Sequence, residues 1–259
     1  MQLPGGIVRD GERRRGFAFR PVDGALEAAV AGAAVAPNQP AAVTAALAAA
    51  LAEIGGAPAT AEAVRDLAVG DRQFLVRQLS AHLGRDRLWL TATCPACGQA
   101  FDFAVAQTEM PVKEAAAGFP YAEVETPRTR LRLRVPTGAD QEAIAGLPDA
   151  QAMRTLFERC LVSGDAADED EIAAAEAAIE AAAPEVALGV LTACPGCGTS
   201  NEVAVDPYLV LTSDAEELFE EIHRLASHYH WSEAEILGLP IARRRLYLRL
   251  MDRERGVVQ

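Results

Sequence analysis

Two short stretches decide how the chain is read: Thr91-Ala92-Thr93-Cys94-Pro95-Ala96-Cys97-Gly98 and, about a hundred residues later, Leu191-Thr192-Ala193-Cys194-Pro195-Gly196-Cys197-Gly198. Each is a C-x-x-C pair closed by glycine. Before the first pair, Leu88, Leu90 and Ala92 alternate with Trp89, Thr91 and Thr93; beyond it, Phe101, Phe103 and Val105 alternate with polar residues. A period of two on both sides of a tight turn is a β-hairpin with the cysteines at its tip. Val186, Leu188 and Val190 before the second pair, and Glu202-Val203-Ala204-Val205-Asp206 after it, predict a second copy at about 185–206. The chain therefore carries an interrupted internal repeat.

A pair of cysteines on a tight turn aims two sulfurs at one point, and the following glycine permits the backbone turn that directs amides toward the thiolates. Cys94, Cys97, Cys194 and Cys197 together would make a closed, tetrahedral, structural zinc site, one ion per chain, with Zn–S bonds of about 2.3 Å. Compact ribbons separate their pairs by about 15–20 residues, so the long separation here leaves two weaker two-ligand sites, or knuckles that have lost their metal, as alternatives. A thioredoxin-like dithiol also uses C-P-x-C, but it needs a following helix N-terminus, and here a strand pattern follows each glycine. Zinc deaminases need an upstream His-x-Glu, and the chain has none. With four thiolate ligands no coordination position is left for water, so the site is expected to be structural and the protein not an enzyme.

Outward from the hairpins, helical patterns dominate. Ala25 to Val35 and Ala41 to Ile54 read as helices, Thr60 as the cap of a short helix through Leu67, and Asp71 as the cap of a longer one ending at Gly84. The first twenty residues, with Arg13-Arg14-Arg15 and Phe17-Ala18-Phe19, read as a short strand or ordered arm. Between the hairpins, Arg130 to Val135 alternates as a strand with its arginines on one face, and helices are expected at Ala139 to Leu147, Asp149 to Val162 and Glu169 to Ala183. Ser213 or Asp214 begins or interrupts a helix to about Tyr229, Ser232-Glu233-Ala234-Glu235 is a capping box, and Pro240 opens a last helix through about Arg255 that Gly256 stops.

The expected fold is α+β and mostly helical: an N-terminal arm and helical region over 1–84, an interrupted zinc-ribbon-like core with a helical insertion over 85–206, and a helical segment over 207–259. Acidic residues Glu216, Glu217, Glu220 and Glu221 gather in one C-terminal helix and Arg243, Arg244, Arg245, Arg249 and Arg253 in the next. If those helices run antiparallel, the groups pair across them; otherwise they are solvated faces. Cys160 reads as a buried core thiol. His223, His228 and His230 lack the i, i+4 spacing of a helical metal pair, and His82 reads as a helix-end residue.

The 259 residues hold 24 Lys+Arg against 37 Asp+Glu, a formal charge of −13, which repels phosphate backbones and makes nucleic-acid binding a poor expectation. Ala-rich runs are broken by Glu, Pro or Gly before the roughly 18 residues a membrane span needs, and no secretory h-region is visible. The expectation is a cytoplasmic protein with no small-molecule substrate.

Several segments, in order along nearly the whole chain, carry a resemblance. They are Leu3-Pro4-Gly5-Gly6, Val69-Gly70-Asp71-Arg72, the two cysteine knuckles, Arg134-Val135-Pro136-Thr137 and Leu156-Phe157-Glu158-Arg159-Cys160-Leu161. They continue with Glu221-Ile222-His223-Arg224-Leu225-Ala226, Tyr229 to Leu237 and Arg243 to Leu248, the closing part being the most specific. The pattern resembles the T-even-phage-type baseplate hub assembly chaperones of contractile phages and phage-like contractile injection systems. The resemblance implies a non-enzymatic role in building, or forming part of, a baseplate, with hub, spike or wedge proteins as partners and incorporation into a phage-like particle as one outcome. Tyr229, Trp231, Arg243, Arg244, Arg245 and Tyr247 are the candidate partner-binding residues, the competing reading of the aromatics being that they pack the turn between the last helices. A zinc-ribbon adaptor for nucleic acid or transcription machinery, with the Arg243 to Arg255 helix as its basic face, is the alternative.

Overall fold

The computed structural model describes residues 1–125, 130–165, 169–208, 211, 215–254 and 256. Its architecture is α+β with helix outweighing strand. The chain opens with a hairpin, β1 (Gln2–Arg9) and β2 (Glu12–Phe19), turned by Asp10 and Gly11. Both turn residues have positive φ, as a two-residue hairpin loop matching strand twist requires. The expected arm is thus half of a sheet. Register breaks between Gln2 and Ile7, and side chains satisfy the main chain there. Arg13 donates to the carbonyls of Gly5 and Pro4, and Arg15 to that of Leu3. The Asp71 carboxylate accepts from the Gly5 and Gly6 N–H groups at 2.6 and 2.8 Å. A Cβ on Gly5 would stand 2.4 Å from that carboxylate, which explains the glycine.

α1 (Gly24–Gly32), capped by Asp23, and α2 (Gln39–Ala50), capped by Asn38, follow. The helix expected to reach Ile54 stops at Ala50: Leu51 turns extended and β3 (Leu51–Ile54) joins β2, pairing Phe17 with Ile54 and Phe19 with Leu51. Leu51 and Ile54 are fully buried by that pairing, so tertiary contact overrides the helix propensity of the Ala/Leu run. β4 (Ala57–Pro58) closes an antiparallel sheet of order β1-β2-β3-β4. α3 (Ala61–Arg65) is capped by Thr60 as expected. α4 (Val69–His82) begins two residues before Asp71, which is therefore no cap; it lies in the first turn and reaches across to the N-terminal strand. α1, α2 and α4 pack Leu26, Val30, Leu47, Leu75 and Leu79 against the sheet as the main core.

The first cysteine hairpin is β5 (Arg87–Thr93) and β6 (Ala100–Ala106). The insertion then begins with β7 (Val112–Lys113) and is more than helical. β8 (Tyr121–Glu125), β9 (Arg130–Arg134) and, after α5 (Gly138–Ile144) and α6 (Asp149–Cys160), β10 (Leu161–Ser163) form a sheet of order β10-β9-β8. Leu161 pairs with Leu133, which is why α6 ends at Cys160 rather than Val162. Leu131 and Leu133 are buried beneath α7 (Glu169–Ala182), with Arg130 and Arg132 outside, the arginine face the alternation predicts. Cys160 is buried, and burial pushes its thiol up to about 11.

β11 (Glu185–Val186) pairs antiparallel with β7, Val186 opposite Val112, and so draws the two ends of the insertion together. The second hairpin, β12 (Gly189–Ala193) and β13 (Ser200–Ala204), leaves this neck beside the first. α4 braces the neck: a Cβ on Gly70 would stand 1.9 Å from the Pro184 carbonyl oxygen, and buried Arg77 donates to the Ala187 carbonyl.

α8 (Ala215–Tyr229), α9 (Glu233–Leu237), with its Ser232/Glu235 capping box, and α10 (Ile241–Glu254) complete the chain. Ser213, Asp214, Arg255 and the Glu216 side chain lie outside the described residues. Glu221 meets Arg244, Arg224 meets Asp252 and His228 meets Glu254. The pairs advance in the same sense along both helices, so α8 and α10 do not run antiparallel; α9 and its flanking turns carry the chain back between them.

A second charged junction secures the insertion. The fully buried Asp140 carboxylate accepts from Arg134, from Arg159 at 2.8 Å and from the Thr137 N–H at 2.9 Å. Burial alone would raise its pKa, but Arg134, Thr137 and Arg159 together hold it well below the usual carboxylate range. A depressed folded-state pKa adds stability that is present above the unfolded value near 3.8 and is lost as pH falls below it. Asp140→Asn is expected to cost about 2 kcal/mol at pH 7, between the values for exposed and fully buried ion pairs because both arginines are partly hydrated. Urea denaturation should show the variant losing less further stability than the parent between about pH 4 and pH 2; equal stability at pH 7 would contradict the junction.

Candidate metal centre

The two knuckles repeat each other in their backbone hydrogen bonds. Cys94 N–H donates to the Gln99 carbonyl and Cys194 N–H to that of Thr199, both at 2.9 Å, while Gly98 and Gly198 N–H donate back to the carbonyls of Cys94 and Cys194 at 2.8 and 2.9 Å. Gly98 and Gly198 sit at φ +74° and +75°, the left-handed region in which a Cβ would be strained. The ladders end at the same place, Thr93 opposite Ala100 and Ala193 opposite Ser200. In each pair the first cysteine is buried and the second exposed. Phe101 with the half-buried Ala92 and Phe103 supplies a small apolar base.

The sulfurs of the two hairpins converge. Cys94 Sγ lies 3.6 Å from Cys197 Sγ and Cys97 Sγ 3.7 Å from Cys194 Sγ, and all four lie within 4.8 Å of one another. A tetrahedron with metal–sulfur bonds of about 2.3 Å has edges of about 3.8 Å, so the closest cross-hairpin distances already match a single shared ion such as zinc. Each hairpin gives two ligands, and the shared arrangement is the one the geometry favours over two separate pairs.

Four adjacent thiols cannot all ionise without a cation. The Thr199 hydroxyl, 3.3 Å away, and the Thr199 N–H favour the Cys197 thiolate and draw it down to about 6. The Gln99 N–H acts in the same direction on Cys97, but hydrogen bonding to the neighbouring sulfurs, Cys197 foremost, pushes that thiol up to about 12. One negative charge suppresses the next, as expected for coupled groups, and a divalent ion at the centre removes the conflict.

The remaining candidate residues divide. Tyr229 stacks on Trp231 with ring centroids 4.7 Å apart, and Tyr247 meets them edge-on at 5.5 and 4.9 Å. The three half-buried rings pack the α8–α9–α10 junction, as the packing alternative holds. Arg243 lies over Tyr247 and Arg245 is exposed. Arg244 is not available to a partner: it is 1% exposed and donates to Glu221 at 2.7 Å and to Glu27, tying α10 to α8 and α1. His228 pairs with Glu254, and His82 stacks on Phe19. Among the described residues the four cysteines are the one cluster of metal-ligating side chains in reach of one another. Sequence reasoning misses a cleft of about 820 Å³ between β1 and β8, lined by Arg9, Arg134 and Arg159 but also by Glu62 and Asp66, so that charges of both signs face it. No described helix is long and apolar enough to cross a membrane. The chain matches no family model, no curated protein and no solved structure.

Metal binding and folding are coupled when a site exists only in the folded chain. Cys94→Ser and Cys194→Ser should each abolish stoichiometric metal, measured by elemental analysis, and lower stability by about 3 kcal/mol or more. Cys160→Ser should leave the metal content unchanged. Retention of full metal content by either of the first two variants would exclude a shared site.

Proposed function

We propose that the protein is a non-enzymatic assembly chaperone or structural component of a contractile phage or phage-like injection-system baseplate, and that its centre holds one structural zinc ion per chain. The observation that carries the reading is the convergence of four cysteine sulfurs from hairpins about a hundred residues apart. An ion with four thiolate ligands has no position for water or substrate, so its work is mechanical: it clamps two distant parts of the chain. The sulfur-only donor set fits zinc. The baseplate assignment rests on the sequence resemblance, whose most specific segment forms the aromatic and arginine-rich junction of α8, α9 and α10.

A nucleic-acid adaptor remains the competing reading because Arg243, Arg245, Arg249 and Arg253 line the exposed side of α10. The burial of Arg244 and the charge of −13 weaken it. Co-expression with the hub, spike and wedge proteins of the same gene cluster should yield a stoichiometric complex that survives purification. A folded, metal-loaded chain that captures none of them, or that binds DNA or RNA with an affinity falling steeply with salt, would overturn the proposal.

A further inference from the structure

Two exposed surfaces of the described residues are complementary to each other in charge and apolar area. On α10, Arg245, Arg249 and Arg253 recur every four residues and meet no carboxylate among the described residues. The row beside them holds Leu246 and Leu250, 46% and 39% exposed. The opposite face of the helix, with Arg244, Leu248 and Met251, is fully used in the C-terminal core. The outer face is therefore a basic row about 12 Å long alongside two leucines one turn apart.

The matching surface lies between α6 and α7. There an open groove of about 520 Å³ is lined by Met153, Phe157 and Ile172 together with the carboxylates of Glu158 and Glu176. Met153 is 54% exposed and Ile172 37%. Among its described lining residues Arg154 is the one cation, and it pairs with Glu158 at 3.4 Å. An apolar groove with carboxylates along it suits an amphipathic helix whose apolar row is flanked by arginines.

We propose that α10 of one copy of this chain docks in the α6–α7 groove of another. Charge complementarity selects a second copy: chains at −13 repel one another in general, so association requires an acidic surface to meet one of the few basic ones, and the chain carries both. Leu246 and Leu250 enter the groove over Met153, and the arginines reach its carboxylates. α10 is packed on α8 and α1 within its own chain, so the contact is between copies. It joins two different surfaces, so each copy keeps one free helix and one free groove, and association continues into a ring or an open string.

The test is light-scattering mass of the metal-loaded full chain over a concentration series to about 100 μM, the range of weak interfaces. The wild type should rise above the 27.4 kDa of one chain, and salt should lower the mass again. Arg245→Glu/Arg249→Glu blocks the helix and Glu158→Arg/Glu176→Arg blocks the groove; each variant alone should stay at one chain. Their equimolar mixture again sets opposite charges against each other, the intact helix of one variant facing the intact groove of the other, and should rise above the mass of one chain. Met153→Lys, at an exposed position, is a second groove variant should the first fail to fold by circular dichroism. A wild type that remains a single chain throughout, as it would if these faces serve other proteins, overturns the proposal. So does an oligomer that either folded variant leaves intact, or a mixture that stays at one chain.

Discussion

Four sulfurs that lie within 4.8 Å of one another are an electrostatic problem before they are a structural feature. Ionised together without a cation they repel, and as neutral thiols they offer only weak hydrogen bonds. The two hairpins have little else to hold them: their shared base is Phe101, with Ala92 and Phe103 half-buried beside it, and an isolated two-stranded hairpin is at best marginally stable in water. A divalent ion bound by the four sulfurs would supply what the apolar surface cannot. The register of the two hairpin tips against each other is what such a centre would fix, since the four sulfurs already lie within bonding reach of one ion.

Closing a loop of about a hundred residues carries an entropy cost of about 4–5 kcal/mol on the scale used for cross-links. The fold meets much of it before the cysteines are reached. Val112 opposite Val186 closes the neck of the insertion, the Ala187 N–H donates to the Pro111 carbonyl, and α4 presses Gly70 against Pro184 on the other side. The hairpins then emerge side by side with their tips in register. The same helix reaches the N-terminal strand through Asp71 and buries Arg72 against Thr44 and the Pro40 and Val64 carbonyls. α4 thus links the N-terminal sheet to the paired cysteine hairpins, and the Asp140 junction orders the insertion on its far side.

Features fixed by local chemistry were legible in the sequence. The cysteine hairpins, the Thr60 and Ser232 caps, the glycine stop at Gly84 and the Leu131/Leu133 alternation follow from spacing and residue type alone. Leu51–Ile54 and Leu161–Ser163 extend helical patterns, and only remote partners, Phe17 and Leu133, make them strands. Local rules give Asp71 to its own helix end, whereas the unpaired amides of Gly5 and Gly6 claim it from 66 and 65 residues away. Asp10-Gly11 does announce the first hairpin, a signal available to a reading that followed turn chemistry. Arg244 likewise shares a helical stripe with Leu248 and Met251, and that spacing separates it from the exposed arginines around it. The relative direction of α8 and α10 has no such signal, because a short helix and two turns between them permit either sense.

The most direct test of the central claim is X-ray absorption at the zinc edge, combined with elemental analysis of the purified full chain. One ion per chain with a single shell of four sulfurs at about 2.3 Å is the expected result. A folded chain with no bound metal, or an ion with only two sulfur neighbours and a shell completed by oxygen or nitrogen, would contradict a shared four-cysteine centre.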